Sequence, residues 1–112
     1  LKLEKIKKNK IVLILYMVYY SKKDYKLIGF EVSKRQGKMY NGLLERKKDK
    51  KIIRVPFGDA TMENYRDITG LNAYPQLIHN DKNRRRLYRL RHKKDLKDGY
   101  YSAGFFSWSY LW

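Results

Sequence analysis

A chain of 112 residues carrying a net charge of +16, with 43% hydrophobic and 15% aromatic side chains, supports one domain with one modest core. It has no cysteine and two histidines, which excludes disulfides, thiolate metal sites and a His-rich metal centre. The charge imbalance repels itself and favours a polyanionic partner: nucleic acid, an acidic protein surface or an anionic membrane.

The first ten residues, Leu1 to Lys10, hold five lysines and read as a basic N-terminal arm. Ile11 to Tyr20 is an apolar run, too short for a membrane helix, which needs roughly 20 residues. It is similar to the core of a signal peptide, but no small-residue cleavage site follows it. Its β-branched and aromatic content predicts a buried strand. An inserted or partner-bound segment is the other reading.

Ser21 to Asp24 is a turn, and Tyr25 to Val32 is a second strand with a bulge expected at Gly29. After a turn at Ser33 to Gly37, Lys38 to Glu45 reads as a weaker third strand. Arg46 to Lys50 is a charged hairpin loop, and Lys51 to Phe57 is a fourth strand ended by Pro56 and Gly58. Short strands at regular spacing predict an antiparallel meander over 11–58.

The pattern then changes. Asp59 to Thr69 is polar, with one helical turn expected around Met62 to Tyr65, and Gly70 to Pro75 is a loop. Asn80 or Asp81 is placed to cap a helix from Lys82 to about Lys94, a stretch with eight Lys or Arg and no carboxylate. Leu87, Leu90 and part of Tyr88 are expected to face the core, leaving Arg85 and Arg89 in solvent. Asp98 and Gly99 end that region, and Ala103 to Leu111 forms a short aromatic helix. Strands followed by helices predict an α+β fold, with residues 11–112 as one domain.

An ordered string of motifs runs through the second half of the chain. It consists of Val55-Pro56-Phe57-Gly58, Tyr65-Arg66-Asp67-Ile68-Thr69, His79-Asn80-Asp81, Arg84-Arg85, Tyr88, Arg91-His92, Ala103-Gly104-Phe105 and Leu111-Trp112. Over roughly Lys38 to Trp112 this resembles a family of small basic proteins of unknown function from large nucleocytoplasmic DNA viruses, the phycodnaviruses and mimiviruses. The sequence departs from that pattern in the extra residues Gly70 to Ile78, in Phe106 where the family often has Trp, and in a segment Leu96 to Tyr101 without Trp. The resemblance implies a viral source and a place in the virion, with host cytoplasm or nucleus as the assembly site. It implies capsid or core proteins as partners, and no activity.

Three groups of residues are candidates for function. Lys82, Arg84, Arg85, Arg86, Arg89, Arg91, Lys93 and Lys94 would neutralise phosphates or meet an acidic partner. No base-reading motif accompanies them. Phe105, Phe106, Trp108, Tyr110 and Trp112 have the composition of interface anchors, and equally of a core. Phe105, Trp108 and Trp112 follow roughly a three-to-four spacing that lets one helix face bury all three; the division expected is Phe105 and Trp108 in the core, with Tyr110 and Trp112 at least partly available to a neighbour. The third group is His79 with Asp81, a catalytic or metal pair by residue type, which capping explains more simply.

Arg91-His92 fits a phosphate clamp, and also fits cations placed at a helix C-terminus. Gly37 to Gly42 resembles, in part, the second half of the Gly-Ile-Tyr…Tyr-Ile-Gly nuclease core. The first half is missing, and so are the clustered carboxylates a metal-dependent nuclease needs. The sequence therefore points to a non-enzymatic virion structural or assembly protein with no cofactor and no bound metal. Sequence-independent nucleic-acid binding is the alternative, and a nuclease a distant third.

Overall fold

The computed structural model describes residues 18–112. The expected basic arm and most of the expected first strand, up to residue 17, lie outside the described residues.

The fold is α+β. Strands β2 (Tyr25–Val32), β3 (Lys38–Arg46) and β4 (Ile52–Asp59) form an antiparallel meander with β3 in the middle. The strand that looked weakest in sequence is thus the most buried, because it pairs on both sides: Met39, Tyr40 and Leu44 are fully buried. The expected bulge is present. Leu27 faces Leu44 and Gly29 faces Leu43, so Ile28 is the extra residue. Pro56 and Gly58 do not end the last strand as expected. β4 runs to Asp59 as an edge strand, where a missing N–H is tolerated.

Partners directly opposite in a sheet share a face. Phe30 opposes Gly42, Gly42 opposes Val55, and Tyr40 opposes Phe57, so these residues and Leu44 make one apolar surface. Phe106 from the C-terminal segment packs onto it, 5.3 Å from the Phe57 ring and 5.9 Å from Phe30. Gly42 is required here. A Cβ at this position would lie 2.6 Å from the Phe106 ring.

The expected first strand does not join the meander through its described end. β1 (Tyr20–Ser21) pairs instead with β5 (Tyr100–Tyr101), a strand the sequence did not suggest. Residues 60–81 carry no helical turn at Met62 to Tyr65 either. Asn64 is buried and extended, in a parallel bridge to Ile78. This long connection is pinned to the sheet by Tyr40, whose hydroxyl donates to Asp67 at 2.5 Å and accepts from the Ala73 amide at 2.9 Å. It is tied to the C-terminal segment by the amides of Arg66 and Ile68, which donate to the carbonyls of Leu111 and Tyr110.

Helix α1 spans Lys82–His92, and α2 spans Ala103–Phe106, continuing as a wide π turn over Ser107–Leu111. Ser102 caps α2 by accepting from the Phe105 amide. Among the described residues no helix is long and apolar enough to cross a membrane.

Candidate nucleic-acid interface

Helix α1 begins where the sequence placed it, and the cap is Asp81. Its carboxylate accepts from the amides of Asn83 (2.9 Å) and Arg84 (3.1 Å), and these bonds hold its pKa below the ordinary value. Asn80 does not cap. It takes a left-handed turn (φ 55°) and donates its amide to the Tyr65 carbonyl. His79 belongs to the same device, since its Nδ1 accepts from the Asp81 amide at 2.8 Å. Burial, then the charge of Arg84, pushes the His79 pKa down, so the ring is kept neutral. His79 and Asp81 therefore serve the helix start, and among the described residues no three His, Asp or Glu side chains gather as a metal site would require.

Tyr88 packs inward as expected, but the rest of the buried face of α1 is not the leucine face expected. Leu87 and Leu90 are exposed, Leu90 at 67%. The stripe that packs is Arg85, Tyr88, Arg89 and His92, four residues at helical spacing. Tyr88 stacks on Trp112 at 4.2 Å with the rings parallel, and His92 lies 4.3 Å beyond Tyr88. His79 is 5.2 Å from Trp112 on its other flank. A column of four rings thus joins the two ends of α1 to Trp112.

Arg85 and Arg89 complete this packing, which corrects the expectation that they face solvent. Arg85 Nε donates to the Trp112 carbonyl at 2.6 Å, and its guanidinium lies 4.8 Å from the Tyr65 ring centre. Arg89 reaches the same carbonyl at 3.3 Å and covers Trp108 at 4.7 Å. Arg66 donates to the Ser109 carbonyl. Burial first, then the charges of Arg85 and Arg66, pulls the Arg89 guanidinium below its ordinary value. The physical reason for the reversal is that planar guanidinium groups cover aromatic rings and also satisfy open carbonyls, which leucine cannot do.

The C-terminal aromatics are mostly core, and the expected division among them is overturned. Phe106, Leu111 and Trp112 are buried, while Phe105, Trp108 and Tyr110 are half-buried. The π turn is the cause. It widens the repeat toward five residues per bonded turn, so Phe106 and Leu111 share the inner side. Tyr110 packs against Phe30 at 4.5 Å, and Phe105 against Tyr101 at 5.5 Å. Trp112 and Phe106 are therefore closed to any partner.

The solvent-exposed sides of α1 and of the 3-10 turn after it (Lys93–Asp95) carry the remaining charge. Lys82, Arg84, Arg86, Arg91, Lys93 and Lys94 are exposed. Arg84 contacts Glu63 directly at 3.4 Å on the surface, and the ring of His92, on the packed side, is hydrogen-bonded through Nδ1 to the Asp95 carboxylate at 2.8 Å. Among the described residues Lys82, Arg86, Arg91, Lys93 and Lys94 meet no carboxylate. Arg91 borders a cleft of about 510 Å³ shared with Lys38 and Arg84, but Asp59 and Glu63 line it too, so its charge is mixed.

Tyr40, the tyrosine of the nuclease-like segment, is fully buried. Burial and its bond to Asp67 push its pKa up to about 12, and both its hydrogen bonds are structural. No family model, curated protein or solved structure matches this chain.

Proposed function

We propose that this chain is a non-enzymatic structural protein that binds nucleic acid without reading its sequence. One observation carries the proposal. Lys82, Arg86 and Arg91 on α1, and Lys93 and Lys94 in the 3-10 turn after it (Lys93–Asp95), meet no carboxylate among the described residues, while Arg85 and Arg89 are used inside the fold; Lys82, Arg86 and Lys93 share one flank and Arg91 lies on the other. Unpaired cations on a rigid helix are poised to exchange their counter-ions for phosphates. The resemblance to the giant-virus family supplies the setting, an internal component of a virus particle, with capsid or core proteins as further neighbours.

Titration of the protein with unrelated 20-base-pair duplexes over a salt series tests this. Affinity should be indifferent to sequence. Five phosphate contacts give a slope of roughly −4 to −5 in log K against log salt. Replacing Lys82, Arg86 and Lys93 by Ala should flatten the slope by about 3 and leave the melting curve unchanged. Absence of binding at physiological salt would sink the reading.

A contact role in assembly is the second reading. The exposure of Ile28, Val32 and Ile52 on the sheet favours it. In that case the chain should fractionate with the shell of purified particles and not with the genome.

A further inference from the structure

Trp108 is set apart from the other aromatic residues of the C-terminal segment. Phe105, Phe106, Tyr110 and Trp112 each pack against at least one other ring. Among the described residues Trp108 meets no ring at all. Its one stacking partner is the Arg89 guanidinium, 4.7 Å from the indole centre. It borders a shallow groove of about 560 Å³ along α1, beside Leu90 and walled by Lys82, Arg86 and Lys93. No carboxylate lines this groove. Leu90, at 67%, is the most exposed large hydrophobic side chain among the described residues.

We propose that this groove is a base-stacking platform and that the preferred ligand is single-stranded nucleic acid. The inference rests on the binding role of α1 and goes further by naming the strand state. A duplex buries its base faces, so it engages the cations alone. An unpaired strand offers both a phosphate and a π face in each nucleotide. The groove matches both: cations line its rim, and an indole backed by a guanidinium lies beside an open apolar side chain. Every base has such a face, so stacking here is tolerant of sequence. An acidic peptide without aromatic side chains would be drawn by the same cations but would have nothing to stack on the indole.

The test uses the full chain with oligo(dT) and with a duplex of equal length, at physiological salt. Single-strand binding should quench Trp108 fluorescence, because Trp112 is closed in by Tyr88 and His79. Trp108→Ala should weaken single-strand binding about 10-fold and leave duplex binding unchanged. Trp108→Phe keeps a ring and should restore most of the loss. Circular dichroism on both variants separates lost stacking from lost folding.

Equal effects of Trp108→Ala on the two ligands, or no effect on either, would overturn the platform and leave the cationic-helix reading standing. Failure of the wild-type chain to bind either nucleic acid would instead overturn that reading. Quenching by poly-glutamate as strong as by oligo(dT) would show that the groove takes acidic protein, and would also overturn the proposal.

Discussion

The two faces of helix α1 carry the same residue types and do opposite work. Arg85 and Arg89 lie inward, over aromatic rings and against a main-chain carbonyl. Lys82 and Arg86, with Lys93 just beyond the helix end, lie outward with no carboxylate partner among the described residues. One set holds the domain together and the other is open to a ligand. Counting basic residues along the helix overstates the surface available to a polyanion, and it hides the arginines on which the fold depends.

The largest effect that would break this contrast is at Trp112, on which the inward face closes. Removing an aromatic from a core costs about 3–5 kcal/mol, a large part of the roughly 5–15 kcal/mol that stabilises a domain. Trp112→Ala should therefore unfold the chain or lower its melting midpoint steeply, whereas Leu90→Ala on the outer face should leave it in place. A wild-type melting curve for Trp112→Ala would show that the inward face is not the structural one.

The next effect separates arginines of equal charge. Arg85→Ala removes a charge-assisted bond to a carbonyl, worth about 1.5–3 kcal/mol, so denaturant midpoints should fall. Arg86→Ala should leave the midpoint alone and weaken nucleic-acid binding. Arg85→Lys should not rescue stability, because an ammonium cannot lie flat on Tyr65 while donating to Trp112. Exchange of these two phenotypes would mean that the faces are assigned the wrong way round.

A pH series sharpens the same point through His79. Its folded pKa lies below the ordinary value of 6.5, so the native state binds fewer protons than the unfolded chain. Its contribution to stability is complete above about 6.5 and is lost as pH falls from there through the folded value. Urea midpoints should thus decline as pH falls below about 6.5, and His79→Gln should flatten that decline. The smallest effect is at the cap. Asp81→Ala should lower the melting midpoint modestly, while Asn80→Gly, which suits the left-handed turn, should not.

The architecture was readable in the sequence wherever the signals were local. The period and punctuation of Tyr25 to Val32 placed a strand with correct ends, and the pair Asn80-Asp81 before a cationic run placed a helix start without saying which of the two caps it. What was not readable depended on partners far away in the chain. The two leucines of α1 suggested a core face, but the core it meets is aromatic, and planar arginines cover such a surface better. The tail aromatics were ordered by a 3.6-residue period that the π turn does not keep. Nothing near Tyr100 announces that it pairs with Ser21. The cationic residues of the candidate site were all named from sequence. Their division into structural and available sets was not, because it requires knowing where Tyr65, Trp108 and Trp112 sit.

The contact between Gly42 and Phe106 makes their tolerance of change mutual. The ring lies so close to the central strand that position 42 has no room for a methyl group while position 106 holds Phe. Each residue therefore sets which substitutions the other accepts. Gly42→Ala should be harmful alone and milder beside Phe106→Leu, with a double-mutant cycle returning a coupling well above the roughly 0.3–0.5 kcal/mol within which independent sites add. In related chains the two positions should drift as a pair. Glycine at 42 would then mark the presence of a large ring at 106, and its loss would signal a smaller side chain there.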